Sequence, residues 1–211
     1  MKIVVVAGQS RKIGKTSVMA GLIRGLRSLG WTAVKISTHR GGVPHADGAV
    51  HHGKAAEPRF ILAEEERASA AGDTGRFLRA GAKRALWLRA RTDSLGEAVP
   101  ELVRALGKAD FVMIESNSIL SHVAPAVSLL VCGRSKRGFK NSSRKLLSRV
   151  DAIVCVAPRA ATLSEETGER SGVRTFKVTP PGYSSAELCR FIRKRVGLRH
   201  AIDPAWRERI P

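Results

Sequence analysis

Aromatic residues make up only 5% of this 211-residue chain, acidic residues number 18 against 37 lysines and arginines, and there are three cysteines. Each scarcity excludes something. Cys132, Cys155 and Cys189 are odd in number and lack CxxC spacing, so they read as reduced, mostly buried thiols and not as a disulfide framework. No apolar run approaches the ~20 residues that a membrane-spanning helix needs, so no membrane partner is expected. The apolar stretch at residues 3–7 is too short for a secretory h-region and runs directly into glycine-containing sequence. Cytoplasm is therefore the expected compartment. An apolar fraction of 43% argues against disorder, and the length suits one domain with a full core. We expect that domain to span residues 1–198, with a loosely packed tail at 199–211.

What is abundant is positive charge, +19 formally with a pI of about 11.1. Such a field draws polyanions. Residues 134–149 hold seven lysines or arginines (Arg134, Lys136, Arg137, Lys140, Arg144, Lys145 and Arg149) and no acid. Arg190, Arg193, Lys194, Arg195 and Arg199 follow near the end. A solvated arginine-rich surface is favoured over a nucleic-acid surface, because only Phe139 and Phe191 accompany these charges as stacking aromatics.

The chain alternates strand and helix patterns. Residues 2–7 form a continuous β-branched run, as in a strand buried on both faces. Val18, Leu22, Ile23, Leu26 and Leu29 recur at helical spacing up to Gly30, a helix stop. Further strands are expected at 31–37, 84–88, 110–114, 126–132, 152–156 and 173–178. Helices are expected at 95–106, 140–150 and 184–196. Residues 38–72 form one long irregular segment, with Phe60-Ile61-Leu62 as a candidate short edge strand. Alternation of this kind predicts an α/β fold: three layers, a mainly parallel sheet and helices on both faces.

The chemistry concentrates between the first strand and the first helix, at Gly8, Gln9, Ser10, Arg11, Lys12, Ile13, Gly14, Lys15, Thr16 and Ser17. The phosphate-loop pattern is GxxxxGK[ST] after a strand and opening a helix. Gly14-Lys15-Thr16 fits it; the strict spacing puts the first glycine where Gln9 stands, and Gly8 lies one residue earlier. A helix start leaves amides unpaired, and its dipole favours anions. Lys15 is expected to reach the β- and γ-phosphates, and the Thr16 hydroxyl to bind Mg²⁺. Glu115 ends the strand before it and should point toward the same metal or an attacking group. Lys15 and Glu115 are therefore the catalytic candidates, and Thr16, Glu115 and Asp73 the Mg²⁺ candidates, with Asp47 competing for the third place.

Taken in order, VVVAGQSRKIGKTS, VKISTHR, DTGRFLRAGAKRALWL and DFVMIES resemble molybdopterin-guanine dinucleotide biosynthesis protein B over residues 2–116. Lys35 and His39 match that family's second-strand motif, Asp73 and Thr74 its Asp-Ser pair, and Glu115 its acidic strand end. Ser116-Asn117 stands where the family has glycine after the acid, and Gln9 replaces a small residue. The resemblance implies a P-loop NTPase fold, of the class that also holds dethiobiotin synthetase and metallochaperone GTPases. It further implies a Mg²⁺-dependent ATP or GTP site, slow hydrolysis, often a homodimer, and a part in molybdenum cofactor maturation beside a pathway protein or small-molecule partner. Partitioning ATPases of the class carry a lysine where Ser10 stands, and no NKxD-like guanine reader is visible. The base stays open. A small-molecule kinase or ligase is the close rival, and a nucleotide-switched module with a basic binding face is the second.

Two other segments carry chemistry-bearing side chains. His39, His45, Asp47, His51 and His52, with Glu57, could converge on a transition metal, but a solvated switch segment is the simpler reading because no spacing is a ligand motif. Residues 133–138 (GRSKRG) lie after the fifth strand, where their arginines could clamp a phosphorylated second substrate or be merely solvated.

Overall fold

The computed structural model describes residues 1–40, 43, 58–133, 146–156 and 172–197. Its elements in chain order are β1 (Lys2–Gly8), α1 (Lys15–Gly25), β2 (Thr32–His39), β3 (Phe60–Glu65), α2 (Asp73–Ala80), β4 (Arg84–Arg91), α3 (Leu95–Leu106), β5 (Phe111–Glu115), β6 (Val127–Cys132), β7 (Ala152–Val156), β8 (Arg174–Val178) and α4 (Ala186–Gly197). All eight strands join one sheet in the order β3-β4-β2-β5-β1-β6-β7-β8. Every pairing is parallel except β3 against β4.

The β-branched run of β1 explains its place in the middle. Ile3 through Gly8 are buried, as a strand covered on both faces requires. Its side chains alternate between two cores. Val4 and Val6 pack with Met19 and Leu22 of α1, Phe77 of α2 and Ile192 of α4. Ile3, Val5 and Ala7 pack on the other face with Leu95, Leu102 and Leu106 of α3. The expected three-layer α/β architecture is what forms.

Three local differences have plain causes. The first helix stops at Gly25 and not at Gly30; residues 27–29 tighten into a 3₁₀ turn, and Gly30 closes it in the left-handed region at φ 63°. The Leu26 carbonyl takes the Leu29 amide (3.0 Å) and the Trp31 indole N–H (3.1 Å), bonds that a continuing α-helix would not make. The candidate edge strand is longer than expected, running on to Glu65. Its polar end is an edge feature, with Arg84 gripping the Glu64 carboxylate through two 2.7 Å bonds. β2 and β4 extend to His39 and Arg91, which places charged and polar ends at the sheet's carboxyl edge. Of the helix expected at 140–150, residues 140–145 lie outside the described residues, as does the tail at 199–211.

Among the described residues no helix is long and apolar enough to cross a membrane. Cys132 and Cys155 are buried as free thiols in register on β6 and β7, and burial pushes the Cys132 thiol up to about 12. Cys189 on α4 is half-buried.

Trp31 joins the α1 exit to the sheet: it is fully buried, bonded to Leu26 and edge-on to Phe111 at 5.7 Å. Trp31→Ala should cost about 3–5 kcal/mol of stability, read as a lower urea midpoint with an unchanged slope.

Candidate functional site

Parallel register builds the site. Lys35 of β2 and Glu115 of β5 are Cα partners on adjacent strands, and Val6 of β1 pairs with Glu115 on the other side. Lys35 and Glu115 therefore stand on the α1 face, two residues beyond Ala33 and Met113, which line the core there. The Glu115 side chain is only 2% exposed, so its charge needs partners. It has them on both oxygens. Oε2 accepts the Thr16 hydroxyl at 2.7 Å, and Oε1 accepts the Lys35 ammonium at 2.5 Å. Lys35 also reaches Asp73 Oδ2, at the start of α2, at 2.9 Å. Burial works to lower the Lys35 ammonium, but the two carboxylates outweigh it and hold its pKa above the ordinary lysine value.

The loop from 9 to 14 turns through two left-handed residues, Lys12 at φ 59° and Gly14 at φ 104°. α1 then begins at Lys15, and its first intrahelical bond runs from the Val18 amide to the Gly14 carbonyl (2.9 Å). The amides of Lys15, Thr16 and Ser17 come before that bond and have no intrahelical acceptor. The Lys15 chain arches back across Gly8, where a Cβ would lie 2.6 Å from its Cγ and Cδ, and its ammonium donates to the Ser10 carbonyl at 3.1 Å. Burial lowers the Lys15 pKa, with nearby Glu115 working the other way.

Two residues of the predicted loop serve the sheet instead. The Gly8 amide donates to Asn117 Oδ1, and the Gly8 carbonyl accepts from Asn117 Nδ2, both at 2.8 Å. The Gln9 amide donates to the Val131 carbonyl at 2.9 Å, and its fully buried side chain accepts the Gly133 amide at 3.3 Å. The Gly8 and Gln9 amides are thus bonded at the strand end, while Gln9 also lines the cleft. The departure from strict glycine spacing has its reason here, because Gln9 fastens the loop to β6.

The surrounding cleft has a volume of about 810 Å³, and its walls include Arg11, Lys12, Lys15, Lys35 and Arg76 against Asp73 and Glu115. Ser10, Gly14, Thr16, Ser17 and His39 also face it. Positive charge exceeds negative, which suits a polyanion. Two contributors were not singled out from sequence. Arg76 lies on α2, its Nη2 donating to Ser17 Oγ at 3.1 Å and its Nη1 3.9 Å from Asp73. Asn117 was noticed only as a departure from a motif. A charged Lys35 between the apolar Val34 and Ile36 of β2 was the available signal for the ion-pair centre; Arg76 carried none, since its role depends on how α2 packs.

His45, Asp47, His51, His52 and Glu57 lie outside the described residues, as do the basic residues from Arg134 to Lys145. Thr74 turns away from the cleft, its hydroxyl donating to Glu65 at 3.2 Å. Among the described residues no group of three or more His, Cys, Asp or Glu side chains could hold a metal ion. The donors present are the Thr16 hydroxyl and the Asp73 carboxylate, with both Glu115 oxygens already engaged by Thr16 and Lys35. They fit Mg²⁺, which keeps several waters and shares its shell with phosphate oxygens, better than a metal that needs a full protein cage.

The sequence matches no family model and no curated protein. In backbone the chain is similar to HypB from Helicobacter pylori, solved in complex with nickel. The TM-score is 0.51 at 12% identity, covering 93% of this chain and 87% of that one. The fold is a P-loop NTPase fold. A chain of the MinC:MinD cell division protein complex of Aquifex aeolicus gives a TM-score of 0.48 at 12% identity, covering 92% and 86%. At 12% identity the likeness to HypB concerns architecture and not chemistry.

Lys35→Met should remove the only described cation bonded to a carboxylate that is 2% exposed. We expect a loss of about 3–5 kcal/mol at neutral pH, largely recovered by adding Glu115→Gln. Because the folded pKa of Lys35 is raised, its contribution is complete below the ordinary value of 10.5 and is lost as pH climbs through the raised value. Urea titrations of wild type and variant should therefore differ by a constant amount up to that point and converge above it.

Proposed function

We propose that this chain is a Mg²⁺-dependent nucleotide-binding protein that takes ATP or GTP in the cleft over α1. The observation that carries the reading is the start of α1. Three amides without intrahelical acceptors, the Lys15 ammonium and a hydroxyl held by a buried carboxylate all converge on one basic cleft. In this reading the amides and Lys15 hold the triphosphate, Lys15 leaving the Ser10 carbonyl to do so. By accepting the hydrogen bond that the Thr16 hydroxyl donates, Glu115 leaves the hydroxyl lone pairs free for a cation. It acts as an orienting group, since Lys35 and Thr16 occupy its two oxygens. Thr16 would hold Mg²⁺ with Asp73 near enough to contribute, and the ion would offset charge on the phosphate oxygens. Arg76 lies beside Ser17, where a guanidinium can stabilise charge developing on a transferred phosphoryl group.

The finer reading is a slow NTPase that assists molybdenum cofactor maturation. It is supported by the residues that carry the family resemblance, Lys35, Asp73 and Glu115, which form one ion-pair cluster beside the cradle. The rival reading, phosphoryl transfer to a small acceptor, is supported by Arg76 and by a cleft wide enough to hold more than a triphosphate tail.

Binding of ATP and GTP with and without Mg²⁺ tests the proposal. Lys15→Ala should weaken the preferred nucleotide by about tenfold or more, and equal affinity in wild type and variant would refute it. Because burial lowers the Lys15 pKa and bound phosphate would raise it, binding should take up protons as pH nears that lowered value from below. Calorimetry in buffers of different ionisation enthalpy reads that uptake directly.

A further inference from the structure

A second concavity opens on the far side of Ser17. It lies between α1 and α2, has a volume of about 250 Å³, and is lined by Ser17, Arg24, Arg76, Arg79, Pro181 and Tyr183. Helical spacing explains the convergence. Ser17, Ala20 and Arg24 stand three, then four residues apart on one face of α1, and Arg76 and Arg79 stand three apart on α2. The segment after β8 closes one end. It is pressed so tightly on α1 that a Cβ at Gly21 would lie 2.3 Å from the Gly182 carbonyl oxygen.

Three guanidinium groups meet here, and no carboxylate is among the lining residues. Two are held in place, Arg79 by carbonyls alone and Arg76 by a hydroxyl with the Asp73 carboxylate 3.9 Å from its Nη1. Arg76 donates to Ser17 Oγ at 3.1 Å, and Arg79 donates to the carbonyls of Ala68 and, at 2.9 Å, Ala70. Its remaining N–H groups have no acceptor among the described residues. Arg24 has no hydrogen bond or ion pair with any described residue. A solvated basic face would spread such charges apart. Here they are gathered in a hollow with a hydroxyl and two walls, and like charges so placed are relieved by a bound anion.

We propose that this groove is a second anion site, which takes a phosphoryl group of a second substrate beside the nucleotide. Its assignment to a second substrate rests on the function proposed above; the anion site itself rests on the three arginines. Guanidinium donors match the planar spacing of phosphate oxygens, so a phosphomonoester or pyrophosphate end is the chemical class favoured. Arg76 borders both concavities, so the anion would lie next to the triphosphate and not in a remote pocket.

Calorimetric titration of the full chain with inorganic phosphate at low ionic strength tests this, using Arg24→Gln, Lys15→Ala and the double variant. Arg24 is exposed and unengaged, so its replacement should leave the melting temperature unchanged. Phosphate should still bind the Lys15→Ala protein, and adding Arg24→Gln should weaken that binding about tenfold. Equal phosphate affinity with and without Arg24 would overturn the site. The phosphate could instead be the nucleotide's own, so ATP and GTP are titrated into the Arg24→Gln single variant. Unchanged nucleotide affinity supports a separate substrate, whereas a loss equal to that for phosphate overturns it. Nucleotide affinity that ignores Lys15→Ala would count against the cradle alone, while the Arg24 result would still stand.

Discussion

One buried carboxylate organises this molecule's working face. Glu115 sits at the end of a central strand, 2% exposed, and a charge so placed is tolerated only when it is bonded on all sides. Its two partners come from different elements, Thr16 from the start of α1 and Lys35 from β2. Satisfying Glu115 therefore fixes the height of α1 above the sheet and the direction of the Thr16 hydroxyl. Through Lys35 it also draws the start of α2 inward by way of Asp73. The cleft is the space left once those demands are met.

The same economy governs the loop before α1. Asn117 and the β6 strand hold Gly8 and Gln9, so the loop enters the turn from a fixed point. Left-handed Lys12 and Gly14 then reverse the chain so that the helix amides face outward. The groups with no bond inside the described fold, the amides at 15–17 and the cations Arg11, Lys12 and Arg24, are those that face the cleft or the second groove. Fold and site are thus separated by hydrogen-bond commitment.

Much of this was legible in the sequence because it follows from local patterns. The β-branched run of β1, the helical spacing after Gly14 and the strand ending at Glu115 led to the sheet, the first helix and the acidic strand end. The antiparallel β3 was half legible: Phe60-Ile61-Leu62 showed the apolar part, but Glu64 and Glu65 join the strand by pairing with Leu86 and Ala85 of β4, where Arg84 meets the Glu64 carboxylate. The place of Gln9 was not legible, since a polar residue in a glycine loop reads as solvent-facing until β6 is known to lie beneath it. Arg76 and Arg24 likewise looked like two of many arginines. Only the packing of α2 on α1, a contact distant in sequence, gathers them around Ser17.

The account turns on the phosphate cradle at the start of α1, and backbone amide resonances would report on it directly. On titration with pyrophosphate and Mg²⁺, the ¹⁵N–¹H signals of Lys15, Thr16 and Ser17 should shift most, while those of Gly8 and Gln9, bonded to Asn117 and Val131, should move little. Saturating shifts confined to other parts of the chain, with the signals from Lys15 to Ser17 unmoved, would contradict it.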